Sequence, residues 1–193
     1  MRKYRQKRVV FTGGPSGGKT TIIDMALRRF GRKVAVVPEA ATILYAGGFP
    51  RRPEPEAVRH IQRAIYYTTR ELEDFAAAMD DAAIALCDRG TLDCLAYWPE
   101  TGPGLLETVG SDLKSEFARY DIALHLRPPK TAAGYQTSAT RIEPHSRALE
   151  LDRKIEAVWK NHPNRHVIEE TPDFLMKANK IMELLDKAVR NLA

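Results

Sequence analysis

The chain has 193 residues, 44% hydrophobic and 28% charged, proportions ordinary for a soluble globular protein with one substantial core. No apolar run approaches membrane-spanning length and no signal-peptide core is present, which excludes a membrane span and makes a cytoplasmic protein the expectation. The net charge of +5 admits nucleic acid or an anionic membrane as a partner, but a basic tail over residues 1–7 and phosphate-holding arginines account for it, and no nucleic-acid partner is expected.

Val9-Val10-Phe11-Thr12 predicts the first strand. Thr21-Ile22-Ile23-Asp24-Met25-Ala26-Leu27 predicts the helix after it, with Ile22, Ile23, Ala26 and Leu27 at helical spacing. Between them, Gly13-Gly14-Pro15-Ser16-Gly17-Gly18-Lys19-Thr20 satisfies G-x-x-x-x-G-K-[ST], the phosphate-binding loop, in the strand–loop–helix setting that motif requires. Its glycines let backbone N–H groups turn toward phosphate oxygens, and the positive end of the helix dipole points to the same place. Lys19 is expected to reach the β- and γ-phosphates and the Thr20 hydroxyl to hold Mg2+, with the run from Gly13 to Thr21 cradling the nucleotide. No G-x-G-x-x-G can be laid on this loop, so a dinucleotide fold is disfavoured.

Gly31 suits a helix C-cap, and Lys33-Val34-Ala35-Val36-Val37 a second strand ended by Pro38. Glu39 follows, ahead of the helical run from Ala40 to Leu44. Ligands of open parallel sheets sit beyond the strands' C-terminal ends, which puts Glu39 on the phosphate-loop side; stabilising the next helix through its dipole is the plainer alternative. Residues 47–55 form a loop by composition. A long helix is predicted from about Glu56 to Met79 with Ile61, Ala64, Ile65, Thr68, Leu72, Phe75 and Met79 inward. Arg51, Arg52 and Gln62 are candidates for an acceptor pocket there, a solvated surface being an equal reading for each.

Ala82 to Cys87 reads as a buried strand closed by Asp88-Arg89-Gly90. An apolar run ended by Asp is what Walker B looks like, the carboxylate that fixes Mg2+ and its waters. Motor ATPases usually place Glu next, to activate water. Arg89 stands there instead, a phosphate-binding cation that cannot act as a base, which tips the reading from hydrolysis to transfer. Cys87 and Cys94 make no zinc pattern and read as small packed residues.

Thr91 to Tyr97 starts a helix with Asp93 in its first turn. A loop over 99–104, a short helix from Ser111 to Arg119 and a buried strand from Asp121 to Leu126 follow, closed by Arg127-Pro128-Pro129; His125 reads as a satisfied core residue. The polar stretch from Lys130 to Glu143 is long for a connection and fits a lid, spanning about 128–146. Arg141 within it and Arg147 just beyond are candidates to neutralise charge on a transferring phosphoryl group, with Glu143 pairing one of them. A helix is predicted from Ser146 to near Lys160. Pro163 between His162 and His166 argues against a helical metal pair. His166 to Ile168 is the last strand, the loop from Glu169 to Asp173 a candidate base-binding edge, and a final helix buries Ile181, Leu184, Leu185, Ala188 and Val189. No repeat or linker divides the chain, so a single domain over 1–193 is expected.

These residues together resemble a specific P-loop group. Gly13 to Thr20, Val37-Pro38-Glu39-Ala40-Ala41-Thr42, Cys87-Asp88-Arg89-Gly90, Arg141-Ile142-Glu143-Pro144, Ala148 through Asp152 to Trp159, and His162-Pro163 match its pattern in order. The group is the ATPase/kinase-like domain of NadR-type nicotinamide-riboside kinases and TRP-channel translocation-defect proteins, and the match covers nearly the whole chain. The resemblance implies a three-layer α/β/α fold with a parallel five-stranded sheet in the nucleoside-kinase order 2-3-1-4-5, and Mg-ATP or Mg-GTP as ligand. The chain has no room for the added helical domain of a ring ATPase, and Asn179-Lys180 leads to Ile181-Met182 rather than an N-K-x-D motif, which disfavours a Ras-like GTPase.

The leading expectation is a small-molecule kinase, monomer or homodimer, passing the γ-phosphoryl of ATP to a nucleoside-like or other small acceptor held between the 47–55 loop and Asp88-Arg89. Lys19 positions the donor, Thr20 and Asp88 hold Mg2+, Glu39 (or, second, Asp88) serves the acceptor, and Arg89, Arg141 and Arg147 spread transition-state charge. The alternative is a nucleotide-binding switch or slow NTPase read by a protein partner.

Overall fold

Val9-Val10-Phe11, Val34–Val37 and Ile84–Cys87 are apolar without alternation, the pattern of strands covered by helices on both faces. In the computed structural model, which describes residues 5–79, 81–129, 145–171 and 173–190, they are three neighbouring strands of one parallel sheet. Its strands are β1 (Lys7–Thr12), β2 (Val34–Val37), β3 (Ile84–Asp88), β4 (Ile122–Leu126) and β5 (Arg165–Ile168), in the order β2-β3-β1-β4-β5. The helices are α1 (Lys19–Phe30), α2 (Ala40–Ala46), α3 (Pro55–Met79), α4 (Cys94–Tyr97), α5 (Leu105–Val109), α6 (Leu113–Phe117), α7 (His145–Trp159) and α8 (Phe174–Arg190).

Alternate residues of each strand point to opposite faces, and this sorts the core into two layers. Val9, Phe11, Leu86 and Leu124 pack with Ile22, Ile23 and Ala26 of α1 and Ala178, Ile181 and Leu185 of α8. Val10, Ala85, Cys87 and Ala123 pack instead with Ala76 of α3 and Ile155 and Trp159 of α7. The result is the three-layer α/β/α sandwich implied by the resemblance. Because every pairing is parallel, the chain leaves β1, β2, β3 and β4 at the same edge, with β1 as the strand where the order reverses.

Three expectations are corrected. The basic tail is shorter than residues 1–7: Lys7 already pairs with Ile84, and the buried Gln6 side chain donates to the Ala82 carbonyl at 3.0 Å. Arg8 lies inside β1 because its long stem carries the charge out to Asp74, 2.7 Å away. The inward face of α3 is also turned from its apolar stripe. Gln62, Tyr66, Thr69 and Glu73 are buried, whereas Phe75 is 62% and Met79 69% exposed. Polar partners explain the turn, since Tyr66 donates to Glu116 (2.6 Å) and Glu73 accepts from Tyr120 (2.6 Å) and Arg119. Finally, α5 was not expected; Leu105 anchors it against Tyr66 and Cys94. Among the described residues no helix is long and apolar enough to cross a membrane.

Candidate active site

The chain leaves β1 through Gly13, whose φ of 113° is strained for a side-chain-bearing residue, and enters α1 through Gly18 at φ 85°. Lys19 folds back over this loop, its Nζ donating to the carbonyls of Gly13 (3.0 Å) and Gly14 (2.8 Å). Burial, and then the neighbouring Arg89 cation, pull its ammonium down to about 7. Thr20 Oγ1 donates to Asp88 Oδ2 at 2.7 Å, so the two residues expected to hold Mg2+ lie side by side. This hydroxyl–carboxylate pair is a hard oxygen donor set that leaves most of a magnesium shell to water and phosphate, and it fits that ion.

Arg89 occupies the centre. Its backbone adopts φ 74°, an uncommon conformation for such a residue, and its N–H donates to Phe11 O at 3.0 Å. Its side chain donates to Glu39 Oε1 (2.6 Å), Asp93 Oδ2 (3.0 Å) and Gly13 O (3.3 Å). The buried Asp93 also accepts from Thr12 Oγ1 (2.6 Å) and Trp159 Nε1 (2.7 Å). The two other carboxylates are driven apart: burial and the Glu39 charge raise Asp88, while for Glu39 the Arg89 cation and Thr42 hydroxyl outweigh burial and lower it.

Two cavities flank this centre. One, of about 510 Å³, is lined by Ser16, Gly17, Gly18, Lys19, Thr20, Thr21 and Asp88, and extends to Arg127, Glu170, Thr171, Phe174 and Lys177. The other, of about 140 Å³, lies between α2, α3 and α4 and is lined by Pro15, Tyr45, Arg51, Gln62, Asp93 and Tyr97. Both include Glu39 and Arg89 in their walls. The Arg51 guanidinium lies 3.7 Å from the Tyr45 ring centroid.

The expected site residues sort accordingly. Ser16 through Thr21, Glu39, Asp88 and Arg89 meet at the larger cavity; Pro15 faces the smaller one, and Gly13 and Gly14 contribute carbonyls to Lys19. The Gly14 N–H does not turn toward the cavity but donates to Asp152 at 2.8 Å. Arg51 and Gln62 line the smaller cavity and Arg52 does not. Arg147 is not brought to the site: it sits half-exposed in the first turn of α7 and pairs with Glu150 on the same helix at 2.6 Å. Arg141 and Glu143 lie outside the described residues, as does most of the expected lid.

Sequence reasoning missed Asp152, Arg127 and Lys177 as site residues. Asp152 accepts from Gly14 N, from His125 Nε2 (2.9 Å) and from Arg127 Nη1 (2.8 Å), tying the loop to α7 and β4. Burial pushes its carboxyl up, but these donors win and hold it at about 2. A depressed folded-state pKa gives stability that is present above the unfolded value and lost as pH falls through the folded one. Unfolding titrations should therefore show about 2 kcal/mol of stability disappearing between roughly pH 4 and pH 2, and Asp152→Asn should remove that part of the slope.

A parallel sheet in this order, with a glycine loop between β1 and α1 and an aspartate ending β3, defines a P-loop NTPase of kinase-like fold. The chain belongs to the AAA domain family, whose model matches residues 8–174. Among solved structures, it is similar to deoxyadenosine kinase from M. mycoides with bound dATP (TM-score 0.65, 15% identity, 94% of this chain and 100% of that one). Thymidylate kinase from Ehrlichia chaffeensis is similar at TM-score 0.63, 12% identity and the same coverages. NadR in complex with NAD and AMP-PNP is similar at TM-score 0.60 and 17% identity over 88% of this chain, which spans 46% of that protein. At these identities the likenesses show the fold. A search of curated proteins found no match.

Proposed function

We propose that the chain is a Mg-ATP-dependent phosphotransferase that passes the γ-phosphoryl group to a hydroxyl or phosphate of a small, nucleoside-like acceptor, with GTP as an alternative donor. The observation that carries this reading is the sharing of Glu39 and Arg89 between the two cavities: a donor in one and an acceptor in the other would meet at a carboxylate and a guanidinium. A pure NTPase has no need of the second cavity. That two of the fold neighbours are a deoxyadenosine kinase and a thymidylate kinase supports the same reading.

In this mechanism the loop amides and Lys19 hold the triphosphate, and Thr20 and Asp88 would hold Mg2+. Bound there, the ion would supply charge neutralisation on the phosphate oxygens. Glu39 takes the proton of the acceptor hydroxyl as its oxygen bonds the γ-phosphorus and the P–O bond bridging the β- and γ-phosphates breaks, releasing the nucleoside diphosphate. Arg89 spreads the charge on the transferring group, held in place by Asp93. Gln62 and Tyr97 contact the acceptor. The chemistry asks mainly for alignment, which two cavities with a common wall supply.

The test is a panel of nucleosides, nucleotides and cofactor precursors offered with Mg-ATP. One acceptor class should accelerate ATP consumption and appear phosphorylated by mass spectrometry. A slow, acceptor-independent hydrolysis across the whole panel would favour the switch reading instead.

A further inference from the structure

Lys177 is placed against the local electrostatics. It lies in the first turn of α8, which contains no acidic residue and where the helix dipole repels a cation. It is only 6% exposed, and no carboxylate among the described residues lies within ion-pair distance. Two of its three N–H bonds go to backbone carbonyls, Gly17 O at 2.9 Å and Arg127 O at 2.8 Å. Burial lowers its ammonium to about 8 despite the attraction of Glu170, Asp152 and Glu169 at longer range. A buried ammonium with no carboxylate of the described residues in ion-pair contact is costly, and this one lines the larger cavity.

The other cations of that cavity are arranged differently. Arg89 is paired with Glu39 and Asp93, and Arg127 with Asp152 and Glu156. Lys19 resembles Lys177 in having only carbonyl partners, and Lys19 is the phosphate lysine of the loop motif. The two ammonium groups therefore grip the same loop from different ends, Gly13 and Gly14 at one and Gly17 at the other. Lys19 lies beside Thr20 and Asp88; Lys177 lies beside Phe174, whose ring covers Gly18, at the end lined by Glu170 and Thr171.

We propose that Lys177 is a second polyphosphate-binding cation, serving the phosphate nearest the nucleoside of the donor. This rests on reading the larger cavity as the nucleotide site. A carbonyl-bound ammonium whose third N–H meets a phosphate oxygen exchanges a charge balanced only at longer range for a charge-assisted hydrogen bond. Its two carbonyl contacts then act as the hinge that sets that N–H, joining the phosphate loop to the end of β4. Nothing in the loop motif announces it, because it enters from α8, more than a hundred residues further along.

Calorimetric titration with ATP, ADP and AMP tests the assignment. K177M should weaken all three by a common factor of about ten to a hundred, since each carries the phosphate in question, and K177R should restore most of the loss. Lys19→Met should instead give a loss that grows from AMP to ATP. If K177M binds all three as the wild type does and merely melts at a lower temperature, Lys177 is only a staple and the proposal falls, while the nucleotide reading stands. If the wild-type protein binds none of the three, both fall. Should K177M fail to fold, acetylation of wild-type Lys177 followed by mass spectrometry decides: ATP should slow it, and an unchanged rate overturns the proposal.

Discussion

Glu39→Gln should lower kcat for acceptor phosphorylation by about 100- to 10,000-fold while leaving Mg-ATP affinity and the melting temperature close to wild type. Glutamine keeps the shape and one accepting oxygen, so it can still receive the Arg89 Nε hydrogen bond, and Arg89 retains Asp93 as a fixed partner. What it removes is the capacity to take a proton. Rapid-quench measurement of a single turnover, beside a binding titration, separates that loss from a loss of donor. An unchanged rate of acceptor phosphorylation would show that another group, Asp88 being next in line, serves the acceptor. The pH profile sharpens the point. Arg89 and Thr42 lower the Glu39 pKa despite burial, so the base stays ionised through neutral pH. The Glu39 contribution to the wild-type rate should be lost only as pH falls below the ordinary glutamate range, a limb separate from the one that Lys19 sets near pH 7.

Gly13→Ala should abolish nucleotide binding and destabilise the fold by about 3 kcal/mol or more. Two independent effects combine. At φ 113° any Cβ is strained, and the one added here would run into the Leu126 carbonyl oxygen. That oxygen is backbone at the end of β4 and has no flexible arm with which to retreat, so β1 and β4 must separate or the loop must rebuild. A rebuilt loop would lose the Gly13 and Gly14 carbonyls that hold Lys19. Gly104→Ala is the control: its φ is −69° and nothing stands within 4 Å of the added Cβ, so the change should cost less than about 1 kcal/mol. Urea unfolding and titration with Mg-ATP read both variants. Wild-type affinity in Gly13→Ala would mean that the loop is not the phosphate site.

The sheet and its order were legible because apolar strand runs and the glycine loop are local signals, and the resemblance supplied the strand sequence. The same locality made Glu39, Asp88 and Arg89 visible, each lying at or within two residues of the C-terminal end of a buried strand. The orientation of α3 was not legible. Its apolar stripe points toward Phe75 and Met79, whereas the buried face is chosen by Tyr66 and Glu73, whose partners Glu116 and Tyr120 lie some fifty residues away. Periodicity cannot register a hydrogen bond to a distant element. Asp152 and Lys177 were not assigned to the site for the same reason: a charge in an amphipathic helix reads as surface until the fold brings a glycine loop beneath it. Arg147, read from its proximity to the lid stretch, pairs within its own helix and lines neither cavity.

The bond between Arg89 and Glu39 bears on how the molecule behaves while it waits. On the proposed reading, a stray water beside a bound triphosphate finds the Glu39 carboxylate already engaged by a neighbouring cation. A molecule that fills the smaller cavity meets the same guanidinium from the other side and, by engaging it together with the phosphoryl group, sets the carboxylate at liberty. Idle cleavage is thus restrained by rivalry for a single side chain, and the true co-substrate carries its own key.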